Sequence, residues 1–220
     1  MGKLIVIEGL DGCGKSTQLQ LLIDRLTAEN VDFRAVSFPN YASAACEPVK
    51  MYLAGDFGQK PNDVNAYAAS TLYAVDRYAS FKTDWGDFYD RGGLIVCARY
   101  VTSNAIHQCS KLPQEQWTSF TEWLYDFEYC KMGIPKPDCV LFLKMPPEMS
   151  EKLLLKRYKG NADLEDIHEK DRAYQEKCRE AALFSAAYGH WIGIDCTENE
   201  EFRSREAIHD EIYKNIQKYL

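Results

Sequence analysis

Apolar residues fall in five short, almost unbroken runs along this chain: KLIVIEG (3–9), FRAVSF (33–38), GLIVCA (93–98), CVLFLKM (139–145) and HWIGIDC (190–196). Runs this short and this continuous predict strands of a parallel sheet covered on both faces. Between them apolar positions recur at helical spacing. Leu19, Leu22, Ile23 and Leu26 form one stripe, and Trp117, Phe120, Leu124 and Phe127 a second. Ile208, Ile212, Ile216 and Leu220 form a third. Each stripe predicts an amphipathic helix packed on a core. Strand–helix alternation of this kind predicts an α/β sandwich wound on both faces of the sheet. The stretch YKGNADLEDIHEKDR (158–172) has few apolar residues and is expected to be a surface flap.

Composition narrows the partners. The chain has 220 residues, 46% apolar and 27% charged, with 26 basic and 33 acidic side chains for a formal net charge of −7. One domain spanning residues 1–220 is expected. An acidic balance argues against nonspecific nucleic-acid binding, which needs a basic surface. An anionic substrate would need a local basic pocket. No run is long enough to span a membrane, and no basic lead precedes a long apolar segment. The eight cysteines include no CxxC pair, so a zinc site is not expected. Cys97, Cys139 and Cys196 lie in or beside apolar runs, where the thiol acts as a small core group. Reduced thiols fit a cytoplasmic protein.

The candidate chemistry starts at GLDGCGKST (9–17). Gly9, Gly14, Lys15 and Ser16 satisfy G-x-x-x-x-G-K-[ST], between an apolar strand and an amphipathic helix as a phosphate loop requires. Glycines let backbone N–H groups turn toward a phosphate, and the helix N-terminus adds a favourable field. Lys15 would reach the β- and γ-phosphates, and the Ser16 hydroxyl would ligate Mg²⁺. The loop as a whole, Gly9, Asp11, Gly12, Cys13, Gly14, Lys15, Ser16 and Thr17, is the candidate ATP site. An NKxD guanine motif and an LSGGQ signature are both absent, which argues against a GTPase or an ABC-type ATPase.

With that loop placed, the chain resembles the thymidylate kinases, specifically the divergent kind found in some anaerobic bacteria. The resemblance rests on six ordered elements: IEGLDGCGKSTQ, SFPNY, LYAVDRYAS (72–80), ARYVTSN, PKPDCVLFL (135–143) and IDCTENEE. It implies a three-layer P-loop fold with a five-stranded parallel sheet in order 2-3-1-4-5 and a lid near 156–172. It implies transfer of the ATP γ-phosphate to dTMP with Mg²⁺, and a homodimer. Tyr73 and Arg77 are four apart and share a helix face. The resemblance gives them the thymine, one by stacking and one by hydrogen bonding. Arg99 directly follows the third strand, where sheets of this class bind ligands, and is expected to grip phosphate. The resemblance further implies that Phe38 and Pro39 shape the acceptor pocket and that Tyr100 packs near the sugar and helps exclude a 2′-hydroxyl. Ser103 matches a substrate-side serine of the family or serves as a helix cap, and Asp11 resembles the family's aspartate near the acceptor sugar and phosphate. Some family members carry an arginine inside the phosphate loop, where this chain has Gly12. The catalytic arginine is then expected on the lid, at Arg157 with Arg172 as the alternative.

Two positions depart from the family pattern. The usual Asp-Arg-Tyr after the third strand is Ala98-Arg99-Tyr100, and alanine can neither bind Mg²⁺ nor accept a proton. Asn40 and Tyr41 follow the Phe-Pro step in place of an arginine. Three readings of Ala98 stand: a slower kinase relying on positioning and charge, a metal shell completed by Glu8 or Asp11, or a nucleotide binder with little turnover. A deoxynucleoside kinase or another nucleoside monophosphate kinase is the alternative activity. A sugar-activating carboxylate is missing from SFPNY, which counts against the former.

Overall fold

The computed structural model describes residues 1–157 and 171–220, with side chains throughout these except at 155–157. Most of the lid expected near 156–172 lies outside the described residues. Five parallel strands form the sheet: β1 (Lys3–Gly9), β2 (Phe33–Ser37), β3 (Leu94–Ala98), β4 (Cys139–Lys144) and β5 (Ile192–Asp195). Their spatial order is β2-β3-β1-β4-β5, the order expected from the family pattern.

The side-chain period of two splits each central strand between two cores. Ile5 and Ile7 of β1, with Leu94, Val96 and Ala98 of β3, pack under α1 (Lys15–Ala28) and α9 (Arg205–Ile216). Leu4, Val6, Ile95 and Cys97 face the other way. On that side lie α3 (Ala66–Ser80), α4 (Gly86–Asp90), α5 (Val101–Cys109) and α6 (Trp117–Tyr125), with α8 (Arg172–Tyr188) packed along α5. Two further helices, α2 (Glu47–Ala54) and α7 (Pro147–Arg157), connect these layers. Side-chain caps start several of them. Asn65 accepts from the Ala68 N–H, Asp171 from Tyr174 and Ser204 from Ala207.

Three details correct the apolar pattern. First, β2 is not covered on both faces: Arg34, Ala35 and Ser37 are exposed, because β2 is the last strand on its edge. Second, the chain winds with a wider π turn over Asp126–Lys131, and the buried stripe continues from Phe120 and Leu124 to Glu128, leaving Phe127 half-buried. Third, α9 ends at Ile216 and tightens into a 3₁₀ turn over Gln217–Tyr219, so Leu220 leaves the stripe and is exposed. A short antiparallel hairpin, β6 (Thr197–Glu198) and β7 (Glu201–Phe202), follows β5 and has no apolar signature in the sequence.

Candidate functional site

The site lies at the carboxyl ends of β1 and β3, which are direct neighbours in the sheet. Residues 10–14 leave β1 and turn into α1 through Gly14, whose φ of 93° is a left-handed conformation that favours glycine. Gly12 is also left-handed, at φ +76°, and a Cβ there would stand 2.6 Å from the Ser150 carbonyl oxygen of α7. An arginine therefore has no room at position 12, where some relatives of the pattern carry one. Cys13 is buried, and burial pushes its thiol pKa up. Lys15 folds back over the loop: Nζ donates to the Gly9 carbonyl at 2.9 Å and the Leu10 carbonyl at 2.7 Å. Ser16 is exposed in the first turn of α1, and Thr17 beside it is half-buried.

The period of two puts Glu8 on the α5 side of β1, and it is fully buried. Its Oε1 accepts the Gly9 N–H at 2.9 Å. Its Oε2 accepts the hydroxyls of Thr102 at 2.7 Å and Ser103 at 2.8 Å. Ser103 thus lies in the first turn of α5 and braces the end of β1 rather than capping a helix. Ala98 faces the opposite side, in the apolar cluster that holds Cys13.

Arg99 follows β3 with φ 61°, an uncommon value for a residue with a side chain. Its N–H donates to the Ile7 carbonyl at 3.2 Å, which ties the turn to β1. Nη2 donates to the Asp11 carboxylate of the phosphate loop. Nη1 lies 3.2 Å from His107 Nε2. Burial works against the Arg99 charge, but Asp11 and Glu8 outweigh it and hold the guanidinium firmly charged. A cleft opens beside this group, lined by Leu10, Asp11, His107, Met145, Tyr174 and Cys178.

The acceptor candidates fall into two groups. Phe38 is buried and tilted against Tyr100 with ring centroids 6.0 Å apart, and the Phe38–Pro39 peptide is cis. Just beyond, the Asn40 N–H donates to the Asp76 carboxylate at 2.8 Å. Burial pushes the Asp76 carboxyl pKa up, against the pull of that N–H and of Arg77. Tyr73 is half-buried on α3, edge-on to Tyr52 at 6.2 Å. Tyr100 is fully buried, with its hydroxyl donating to the Pro135 carbonyl at 3.0 Å.

Arg77 is 2% exposed and makes a bidentate pair with the fully buried Glu128. Nε donates to Oε2 at 2.7 Å and Nη2 to Oε1 at 2.6 Å, while Nη1 points to the Tyr100 carbonyl at 3.4 Å. Asn104 of α5 donates to the same Oε1 at 3.3 Å and to the Ser70 carbonyl at 3.2 Å. Glu128, Asn104 and His107 are the site residues that motif reasoning passed over. Glu128 had a signal: it is an acid where the buried stripe of α6 continues. Asn104 and His107 had none beyond their place on α5. The Arg157 side chain lies outside the described residues. Arg172, the alternative, opens α8 and pairs with Glu151 at 3.0 Å on the surface.

A family model described as thymidylate kinase matches residues 7–212. A curated thymidylate kinase of Mycobacterium tuberculosis is 30% identical over 198 residues, covering 86% of this chain and 88% of that protein. One of Plasmodium falciparum is 29% identical over 218 residues, covering 99% of this chain and 90% of that protein. Among solved structures, a thymidylate kinase from Candida albicans superposes with a TM-score of 0.72 at 22% identity, over 99% of this chain and 92% of that one.

Proposed function

The chain belongs to the thymidylate kinase family, and we propose that it transfers the γ-phosphoryl group of ATP to the phosphate of dTMP, giving ADP and dTDP. One observation carries the reading. The parallel register of β1 and β3 sets a phosphate loop, with its lysine, directly beside an arginine on the strand end where an acceptor phosphate would sit. Phosphoryl transfer needs little covalent help from a protein. It needs two nucleotides held in line and cations against the charge that gathers between them.

Loop N–H groups and the N-terminus of α1 would cradle the donor phosphates. Lys15 would move from the loop carbonyls to the β- and γ-oxygens. Arg99 would hold the acceptor phosphate, and Asp11, already on Arg99, would stand near the acceptor sugar. Tyr73 would stack on the base, with Phe38, Pro39, Tyr100 and Ser103 shaping the pocket. Arg77 enters this pocket as a held group, its Nε–Nη2 edge committed to Glu128. The lid arginine is assigned to Arg157.

Mg²⁺ fits the donor set. The Ser16 hydroxyl is exposed at the start of α1, and no group of three His, Cys, Asp or Glu converges as a metal site among the described residues. That suits an ion carried by nucleotide phosphates and water with one protein hydroxyl. When bound, Mg²⁺ neutralises charge on the transferring phosphate. Glu8 accepts from Gly9, Thr102 and Ser103 within the fold, which ties it to the ends of β1 and α5.

A homodimer is part of the reading, supported by exposed Tyr67, Val75 and Tyr78 on α3. A reducing cytoplasm is supported by eight free cysteines, only Cys130 of them exposed. No helix among the described residues is long and apolar enough to cross a membrane.

The test is ADP release from Mg·ATP with and without dTMP, on the natural chain and on Ala98→Asp. dTMP-dependent release is expected from both. Silence in both, with dTMP still raising the melting temperature, would leave a nucleotide-binding protein. Release with a nucleoside or another monophosphate instead of dTMP would redirect the acceptor.

A further inference from the structure

Arg99 has a left-handed backbone, which a residue with a side chain keeps only where its surroundings hold it. Asp11 takes Nη2, and His107 meets Nη1 at 3.2 Å. A guanidinium only donates. His107 Nε2 must therefore present a lone pair, which places the ring proton on Nδ1. The surroundings agree with that tautomer. Nδ1 lies 3.6 Å from Cys178 Sγ, which accepts, while the Cys178 thiol donates to Ser110 Oγ at 3.4 Å. The Ser110 hydroxyl and the Tyr174 hydroxyl both donate to the His107 carbonyl, at 2.8 and 2.7 Å. The Tyr174 ring lies nearly parallel to the imidazole, at 26° and 6.5 Å between centroids.

We propose that His107 is a positioning residue for Arg99: a neutral imidazole of fixed tautomer, braced by Tyr174 and Cys178 of α8, that aims the guanidinium at the acceptor phosphate. The phosphate half of this statement rests on the role given to Arg99 under Proposed function. The charged and titratable groups facing the ring are Arg99 beyond β3, Asp11 and Lys15 of the phosphate loop, Lys111 beyond α5, and Cys178 and Tyr174 of α8. Burial first, and then Arg99, pull the imidazole pKa down to about 3, so the ring stays neutral wherever the enzyme works. A protonated ring would turn its lone pair into a second donor against Arg99.

Two variants and one spectrum test this. His107→Leu removes the acceptor at similar size. His107→Gln restores an acceptor at the reach of Nε2. KM for dTMP should rise about tenfold or more in His107→Leu, with KM for ATP little changed, and should return to within about threefold in His107→Gln. NMR of the chain with ¹⁵N-labelled histidine, assigned with His107→Gln, should show Nδ1 protonated and Nε2 unprotonated from pH 7.5 to 5. Equal kinetics in the two variants would overturn the proposal. So would a ring that is protonated on Nε2 or titrates near the ordinary histidine value. If the natural chain leaves dTMP untouched, the functional reading fails, and the tautomer alone decides the clamp. Should His107→Leu not fold, His107→Gln and the spectrum still decide it.

Discussion

Replacing Glu128 with glutamine would test whether the Arg77 charge is held inside the protein. The change keeps size and one acceptor oxygen but removes the negative charge. Of the two hydrogen bonds at 2.7 and 2.6 Å, one is lost because the amide nitrogen cannot accept from the guanidinium, and the other loses its ionic character, as does the Asn104 contact at 3.3 Å. Arg77, 2% exposed, keeps a charge that loses its hydrogen-bonded counter-ion, because the neighbouring Asp76 accepts from Asn40 rather than from the guanidinium. Removing one partner of a buried pair costs about 3–5 kcal/mol, since the other charge is left stranded. For a chain of this size each 1 kcal/mol moves Tm by about 2–4 °C, so Glu128→Gln should lower Tm by roughly 6–20 °C. Urea unfolding followed by circular dichroism would give the free energy directly. The double variant Arg77→Met with Glu128→Leu removes both charges and should return to within about 2 kcal/mol of the natural chain. A cost below about 1 kcal/mol for Glu128→Gln alone, within the range of an exposed pair, would refute the reasoning. It would mean that Arg77 reaches water, and with it a ligand, without Glu128.

Other outcomes follow from the same geometry. Gly12→Arg should lower stability and slow turnover by displacing α7, because its Cβ would meet the Ser150 carbonyl at 2.6 Å; a melting curve and an ADP-release assay would show it, and an unchanged curve would mean that α7 yields freely. Lys15→Met should abolish dTMP-dependent ADP release while leaving Tm nearly unchanged, since it removes the cation proposed to meet the phosphates and, from the fold, only two contacts to loop carbonyls. Ala98→Asp should unfold more easily without nucleotide, as it sets a carboxylate into the apolar cluster beside Cys13; Mg·ATP should narrow the gap if the acid meets the metal. His107 is neutral in the fold with its pKa lowered to about 3, whereas the unfolded chain takes up a proton near 6.5. Its share of stability is therefore present above about pH 6.5 and lost as pH falls from there toward 3. Urea midpoints of the natural chain should accordingly drop more steeply than those of His107→Gln between pH 7 and 4.5, and parallel curves would refute the assignment.

The sequence by itself determined the sheet, its five strands and the phosphate loop. These features depend on neighbours in the chain. A continuous apolar run is unstable unless both faces are covered, and Gly12 and Gly14 allow left-handed backbone at a strand–helix junction whatever lies elsewhere. Resemblance added the strand order and the roles expected around Arg99. What the tertiary structure alone decided is which charged group meets which. Arg77 and Glu128 are 51 positions apart, Arg99 and Asp11 are 88 apart, and Cys178 reaches His107 across 71. No periodicity records such distances. A buried charge takes the partner that packing brings within reach, and the strength of that choice comes from excluding water, a property of the assembled layers. The same holds for β2, whose apolar run looks like a central strand until the sheet leaves it on an edge.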